Sequence, residues 1–187
     1  LGQPRGLFDA TPFADSDAPL PELIALRDFL TIVSNIVGAG NRDAYVAAAI
    51  AATTQIHLTA VALPLRSAPT LRDALAMLAL YGGNRAGIHR YVVRRSGGRT
   101  FVELGSRVAL AHLQPVLAEI VLTALVHAVL SLHGDDSAGL TVALRRDAAA
   151  YSPDMLARMA CAVEFSRGHD GITLPTRWES IRSNHHD

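Results

Sequence analysis

Two runs of alternating side chains, RYVVRRS (90–96) and RTFVELG (99–105), are separated by nothing but Gly97-Gly98. Paired glycines accept positive φ, so they form the primed two-residue turn whose twist matches that of the strands it joins. An antiparallel hairpin follows, and with it a register. Val93 faces Val102, Tyr91 faces Leu104 and His89 faces Ser106 on one side of the ribbon. Val92, Arg94, Phe101 and Glu103 fall on the other. A slip of one residue would turn every side chain to the wrong face, so this register commits the chain to a sheet with one face covered.

The cover comes from helical segments. Apolar residues at Leu23, Leu26, Leu30, Val33 and Val37 follow Pro21 and Glu22 and stop at Gly38 and Gly40; the pattern predicts a helix from Pro21. Asn41 suits the cap of a second, alanine-rich helix. Segment 56–66 reads equally as a short strand or a helical turn. Thr70 to Asp73 form a capping-box variant ahead of a helix to about Leu80. A long helix spans 112–133. Alternation at 140–145 gives a third strand, Ser152-Pro153-Asp154 open another helix, and 161–166 form a fourth strand. Gly168 to Gly171 are expected to turn that strand back into a short fifth at 172–174, and Pro175–Ile181 to add a helical turn or two. The fold class is α+β: a mostly antiparallel sheet with hairpins packed against several helices. Residues 1–19 read as an extended or disordered arm, 20–182 as a single domain and 183–187 as a tail.

Composition narrows the chemistry. Among 187 residues, 17 basic side chains balance 17 acidic ones, and every basic one is arginine. Without lysine there is no Walker-type phosphate loop, no Schiff base and no protein kinase. The lone Cys161 excludes intrachain disulfides and cysteine-built metal sites. Neutral net charge argues against this segment gripping nucleic acid. The first residues carry Arg5, Asp9 and Asp15 without a long apolar run, so no export signal is read there. The most apolar stretch, 111–132, is interrupted by Glu119 and His127 and reads as a buried helix rather than a membrane span. A cytoplasmic protein is expected.

No histidine lies three or four residues from another, the spacing that places two metal ligands on one helix face, so no metal and no cofactor are expected. One constellation stands out. Glu119, Thr123 and His127 recur every four residues along the long helix, with Ser131 extending the row. That row is either the solvent face of a surface helix or the polar lining of a largely apolar cavity between helix and sheet. In the second case His89, Tyr91 and Ser106 on the hairpin's inner face add polar groups. An enzyme using Glu119 and His127 as an acid–base pair is disfavoured, because eight residues span about 12 Å along a helix. Trp178 is expected as a core lid or dimer anchor. Arg94-Arg95 and Arg145-Arg146 are expected to protect solvated strand edges.

The order of these segments resembles a known family. APTLRDALAMLALY (68–81) is similar to the T-L helix in the N-terminal sensor domain of one branch of AraC-type transcriptional regulators, the arabinose-binding-like domains. The hairpin, the helix carrying Gln114 and Glu119, strand 140–145 and AVEFSRGHDGITLPTRWESI (162–181) follow in that family's order. The resemblance implies an effector-binding and dimerisation domain, a largely apolar small-molecule effector, a homodimer, and DNA contact only through a helix-turn-helix module expected beyond Asp187. It implies no enzyme. The alternative is a protein–protein interaction module without a pocket.

Overall fold

A computed structural model describes residues 6–14, 24–55, 67–82, 88–133, 137–151 and 153–182. They fall into two compact units, Leu1–Tyr45 and Val46–Asp187.

In the first unit, residues 6–14 run through successive turns. Asn35 Nδ2 donates to the carbonyls of Leu7 (3.1 Å) and Asp9 (3.0 Å), and Phe8 meets Phe13 edge to face at 6.5 Å. Asn35 belongs to α1 (Leu26–Gly38), which starts later than its apolar spacing suggests, because Ala25 is extended at φ −61°, ψ 142°. Asp28 then supplies the first-turn acid that favours the positive helix end. Gly40, at φ 78°, precedes α2 (Arg42–Gln55), which begins in this unit and continues into the second.

The second unit holds the sheet. Helix α3 (Leu71–Tyr81) begins at Thr70, whose Oγ1 accepts from Asp73 N at 3.2 Å and donates to Asp73 Oδ2 at 2.6 Å. One arm of the predicted capping box forms, and the Asp73 carboxylate binds the Thr70 hydroxyl instead of its backbone N–H. The helix buries Leu71, Ala74, Leu75 and Leu78 and packs on β1 (His89–Ser96). At its end Gly82 lies so close to Tyr91 that an added Cβ would sit 2.9 Å from the ring. Strand β1 pairs with β2 (Arg99–Ser106) in the expected register, Val93 opposite Val102 and His89 opposite Ser106. Segment 56–66, ambiguous in sequence, lies outside the described residues.

Helix α4 (Gln114–His133) follows a 3₁₀ turn at Ala111–Leu113. By length and composition Ala111–Leu132 could cross a membrane, but 72% of it is buried inside the protein, as expected of a core helix. Leu122, Leu125, Val126 and Val129 are completely enclosed. A helix apolar on nearly every side must be covered on nearly every side.

The remaining strands are β3 (Thr141–Ala143), β4 (Ala162–Glu164) and β5 (Asp170–Pro175), and the sheet runs β1-β2-β5-β3-β4. The expected hairpin between the fourth and fifth strands does not form. Strand β5 inserts between β2 and β3, antiparallel to both, while β4 pairs with β3 in parallel at the edge. The pairing follows from the connections. Residues 144–161, including α5 (Pro153–Arg158), are long enough for a parallel crossover. After β4, Ser166 N and Arg167 N donate to the carbonyls of Arg146 and Leu144, so the chain stays bound to the β3 side instead of reversing. Strand β5 buries five of its six residues, a central strand rather than a short return. Mostly antiparallel strands packed with helices confirm the α+β class. Trp178, in a closing 3₁₀ helix (Thr176–Ser180), is 2% exposed and belongs to the core.

Candidate functional site

The polar row on α4 is neither all solvent face nor all lining. Glu119 and Thr123 are fully buried, whereas His127 and Ser131 are exposed, Ser131 Oγ donating back to Ala128 O at 2.9 Å. Successive steps of four residues drift around a helix of 3.6 residues per turn, and the drift carries the row from core to surface. Glu119 and His127 therefore lie in different environments and do not form an acid–base pair.

The hairpin residues also divide. His89 is 8% exposed. Tyr91 is buried toward α3, and desolvation pushes its phenol well above the ordinary range. Ser106 is spent on the chain itself: its hydroxyl donates to Val108 O and accepts from Val108 N at 3.2 Å, closing the end of β2. Of the six candidate side chains, His89, Tyr91, Glu119 and Thr123 are buried, Ser106 is half-buried with its hydroxyl bonded to Val108, and His127 is exposed.

Asp170, which sequence reasoning passed over as a turn residue, joins the buried ones. At the start of β5 it is 1% exposed. Its Oδ1 accepts from Arg145 N (2.9 Å) and Tyr151 Oη (3.3 Å), and its Oδ2 accepts from Gln114 Nε2 (3.1 Å). Arg145 Nε stands off at 3.9 Å from Oδ2 and is half-exposed. The carboxylate thus ties α4, β5 and the end of β3 together. Its charge reaches His89 and Tyr151, and Glu119 acts on Tyr151 as well. Burial, joined by these carboxylates, pushes the Tyr151 hydroxyl up to about 12, so it stays a donor.

His89 responds in the opposite direction. Desolvation lowers its pKa to about 4, and a backbone hydrogen bond at Gly105 and the Asp170 charge offset this only in part. The ring is neutral at physiological pH. Among the described residues, its Nδ1 and the Thr123 hydroxyl are buried without a hydrogen-bond partner. Such a group forfeits its hydration, at about 1–3 kcal/mol each. Native proteins hold few of them, and each calls for an explanation. Gln114, Tyr151 and Asp170, with the Asp170 charge reaching His89 and that of Glu119 reaching Tyr151, form a polar seam amid apolar packing, and Thr123 lies one turn beyond Glu119 on α4. Among the described residues no His/Cys/Asp/Glu group is arranged to hold a metal.

A third buried carboxylate shows what a saturated site looks like. Glu179, 1% exposed, accepts from Arg95 Nε (2.8 Å), Thr100 Oγ1 (2.6 Å) and Arg72 Nε (3.1 Å). Burial alone would raise its pKa, but these bonds outweigh burial and hold it below the ordinary value. Arg95 is therefore engaged in an ion pair rather than only guarding an edge. No sequence spacing signals this network, since its members lie as many as 107 residues apart. Cys161 is half-buried, and burial lifts its thiol to about 11, which leaves it unreactive.

Residues 17–180 match the family profile described as the arabinose-binding domain of AraC transcription regulator, N-terminal. Among solved structures, the chain is similar to the transcriptional regulator CdpR from Pseudomonas aeruginosa. The TM-score is 0.58 at 15% identity, over 90% of this chain and 60% of that one. That likeness is one of fold, and the chain spans about three-fifths of the length of that regulator. Among curated proteins no relative matches.

Proposed function

Since the chain belongs to the family of N-terminal arabinose-binding domains of AraC transcription regulators, a regulator family and not an enzyme family, we propose that its buried seam holds a small-molecule effector. The observation that carries the reading is the pair of unpartnered buried polar atoms, His89 Nδ1 and Thr123 Oγ1. The apolar walls of α4, with Val116, Leu122 and Val126 buried beside the polar row, favour a largely apolar ligand with a polar head. Signalling requires that the ligand bind one arrangement of the domain better than another. That differential affinity shifts the attached helix-turn-helix module, whereas equal affinity for both arrangements would shift nothing. The module lies beyond this segment, and DNA contact belongs to it. The domain works in the cytoplasm as a homodimer, and among the described residues the exposed Leu80 (65%) and Tyr81 (60%) on α3 are the large apolar side chains offered for such contact.

Native mass spectrometry of the purified chain tests both parts at once. The expected spectrum shows a dimer and a retained or titratable small molecule whose binding is weakened by Thr123→Val. A folded chain that binds no small molecule, with or without the substitution, would leave a protein–protein interaction module without a pocket.

A further inference from the structure

The hairpin's other face carries a hollow of its own. Val92, Arg94 and Ser96 on β1 alternate with Tyr91 and Val93, which pair with the buried Leu104 and Val102, and so lie on the opposite side of the ribbon. On that side Glu103 stands opposite Val92, and Phe101 opposite Arg94. The β5 residue paired with Glu103 is Gly171, so the next strand raises no side chain beside the acid. A cavity of about 320 Å³ is walled here by Val92, Arg94, Ser96, Phe101, Glu103 and His169. That volume is at the small end of the range of about 300–1,000 Å³ for small-ligand sites. Val92 and Phe101 give it an apolar middle, and its charged groups come in both signs. Arg94 Nη2 is 3.4 Å from Glu103 Oε2, a long contact that engages one part of a guanidinium with five N–H donors. The two side chains are 69% and 35% exposed, and ion pairs so solvated are weak, so a ligand can part them at little cost. Ser96 adds a hydroxyl two residues from Arg94 on the same face.

We propose that this cavity binds a small zwitterion with an apolar body, an amino acid bearing an aromatic or aliphatic side chain. Its carboxylate meets Arg94 and Ser96, its ammonium meets Glu103, and its side chain rests on Val92 and Phe101. A cavity that holds one base beside one acid admits a neutral dipole with both ends paired. A plain carboxylate would bring its charge up to Glu103, and a plain amine would bring its charge up to Arg94. The site is separate from the buried seam and stands whether or not the seam binds an effector.

Amide NMR of the ¹⁵N-labelled 187-residue chain tests the proposal with three matched probes: L-phenylalanine, 3-phenylpropionate, which lacks the ammonium, and 2-phenylethylamine, which lacks the carboxylate. L-phenylalanine at millimolar concentration is expected to shift the amides of β1 and β2 between Val92 and Glu103, and to bind about two- to fivefold more tightly than either analogue, the range of exposed ion pairs. Arg94→Gln should weaken L-phenylalanine and 3-phenylpropionate by about the same factor without weakening 2-phenylethylamine, and Glu103→Gln should do the reverse. In each variant the analogue that does not use the altered group reports whether the cavity is intact. An analogue that binds as tightly as L-phenylalanine overturns the zwitterion assignment, as does a response that neither substitution changes. Shifts confined to His89 and α4 overturn this site and support the seam as the ligand site. If no probe shifts the hairpin or the seam, the proposal falls while the seam's own effector is still tested by native mass spectrometry.

Discussion

Acidification offers a direct physical test of the buried seam. In the unfolded chain His89 has its ordinary pKa of 6.5, and in the folded protein desolvation lowers this to about 4. Between those values the unfolded state binds a proton that the folded state refuses, so stability rises with pH across the window and is lost as pH falls. The loss begins near pH 6.5 and is complete once the folded ring itself protonates near 4. A gap of about 2.5 pH units at about 1.4 kcal/mol each amounts to about 3.5 kcal/mol. That is a large share of the 5–15 kcal/mol typical of folded domains. Urea unfolding at stepped pH would measure it, with His89→Leu as the comparator, since every other titrating group is common to both proteins. The variant's stability should fall less steeply by about one proton's worth, about 1.4 kcal/mol per pH unit. Equal slopes would refute the reasoning and place His89 in contact with water.

Thr123→Val should raise stability by about 1 kcal/mol without ligand, because it removes a buried hydroxyl that has no partner; chemical denaturation reads the sign directly. Gly171→Ala should cost roughly 2 kcal/mol or more, since its Cβ would meet the Val102 carbonyl at 2.5 Å, where only backbone could yield. Gly105→Ala should cost less, about 1 kcal/mol, because the Cβ meets Arg90 Nε at 2.6 Å and Cγ at 2.8 Å and a change of rotamer, not of backbone, relieves it. Glu179→Ala should cost about 2 kcal/mol in urea unfolding, because the charge-assisted bonds from Arg72, Arg95 and Thr100 are lost and Thr100 keeps only Thr176 Oγ1 at 3.1 Å.

What the sequence disclosed was what short-range physics controls. The Gly97-Gly98 turn dictated a register that holds at every pair of the hairpin, and Thr70 with Asp73 marked a helix start to the residue. Periodicity found α4 but could not say which part of its polar row faced inward, because a helix buried almost all round carries no amphipathic signal to orient it. The neighbour of β5 was illegible for a related reason. Strand pairing depends on which chain fills the gap beside β2, and the return loop's bonds to Arg146 and Leu144 are long-range. Asp170 and Glu179 escaped notice because a buried carboxylate is defined by partners distant in sequence, and Asp170 sat inside what read as a polar turn.

The position of β5 has a consequence for how the chain is made. Asp170–Pro175 follows the other four described strands in the chain, yet it occupies the middle of the sheet and joins the hairpin to β3. Until it leaves the ribosome, the hairpin and the β3–β4 pair are separate fragments with open edges between them. Closure of the sheet must therefore wait for this strand. Deleting residues from 170 onward should leave an aggregation-prone collection of parts rather than a slightly smaller protein.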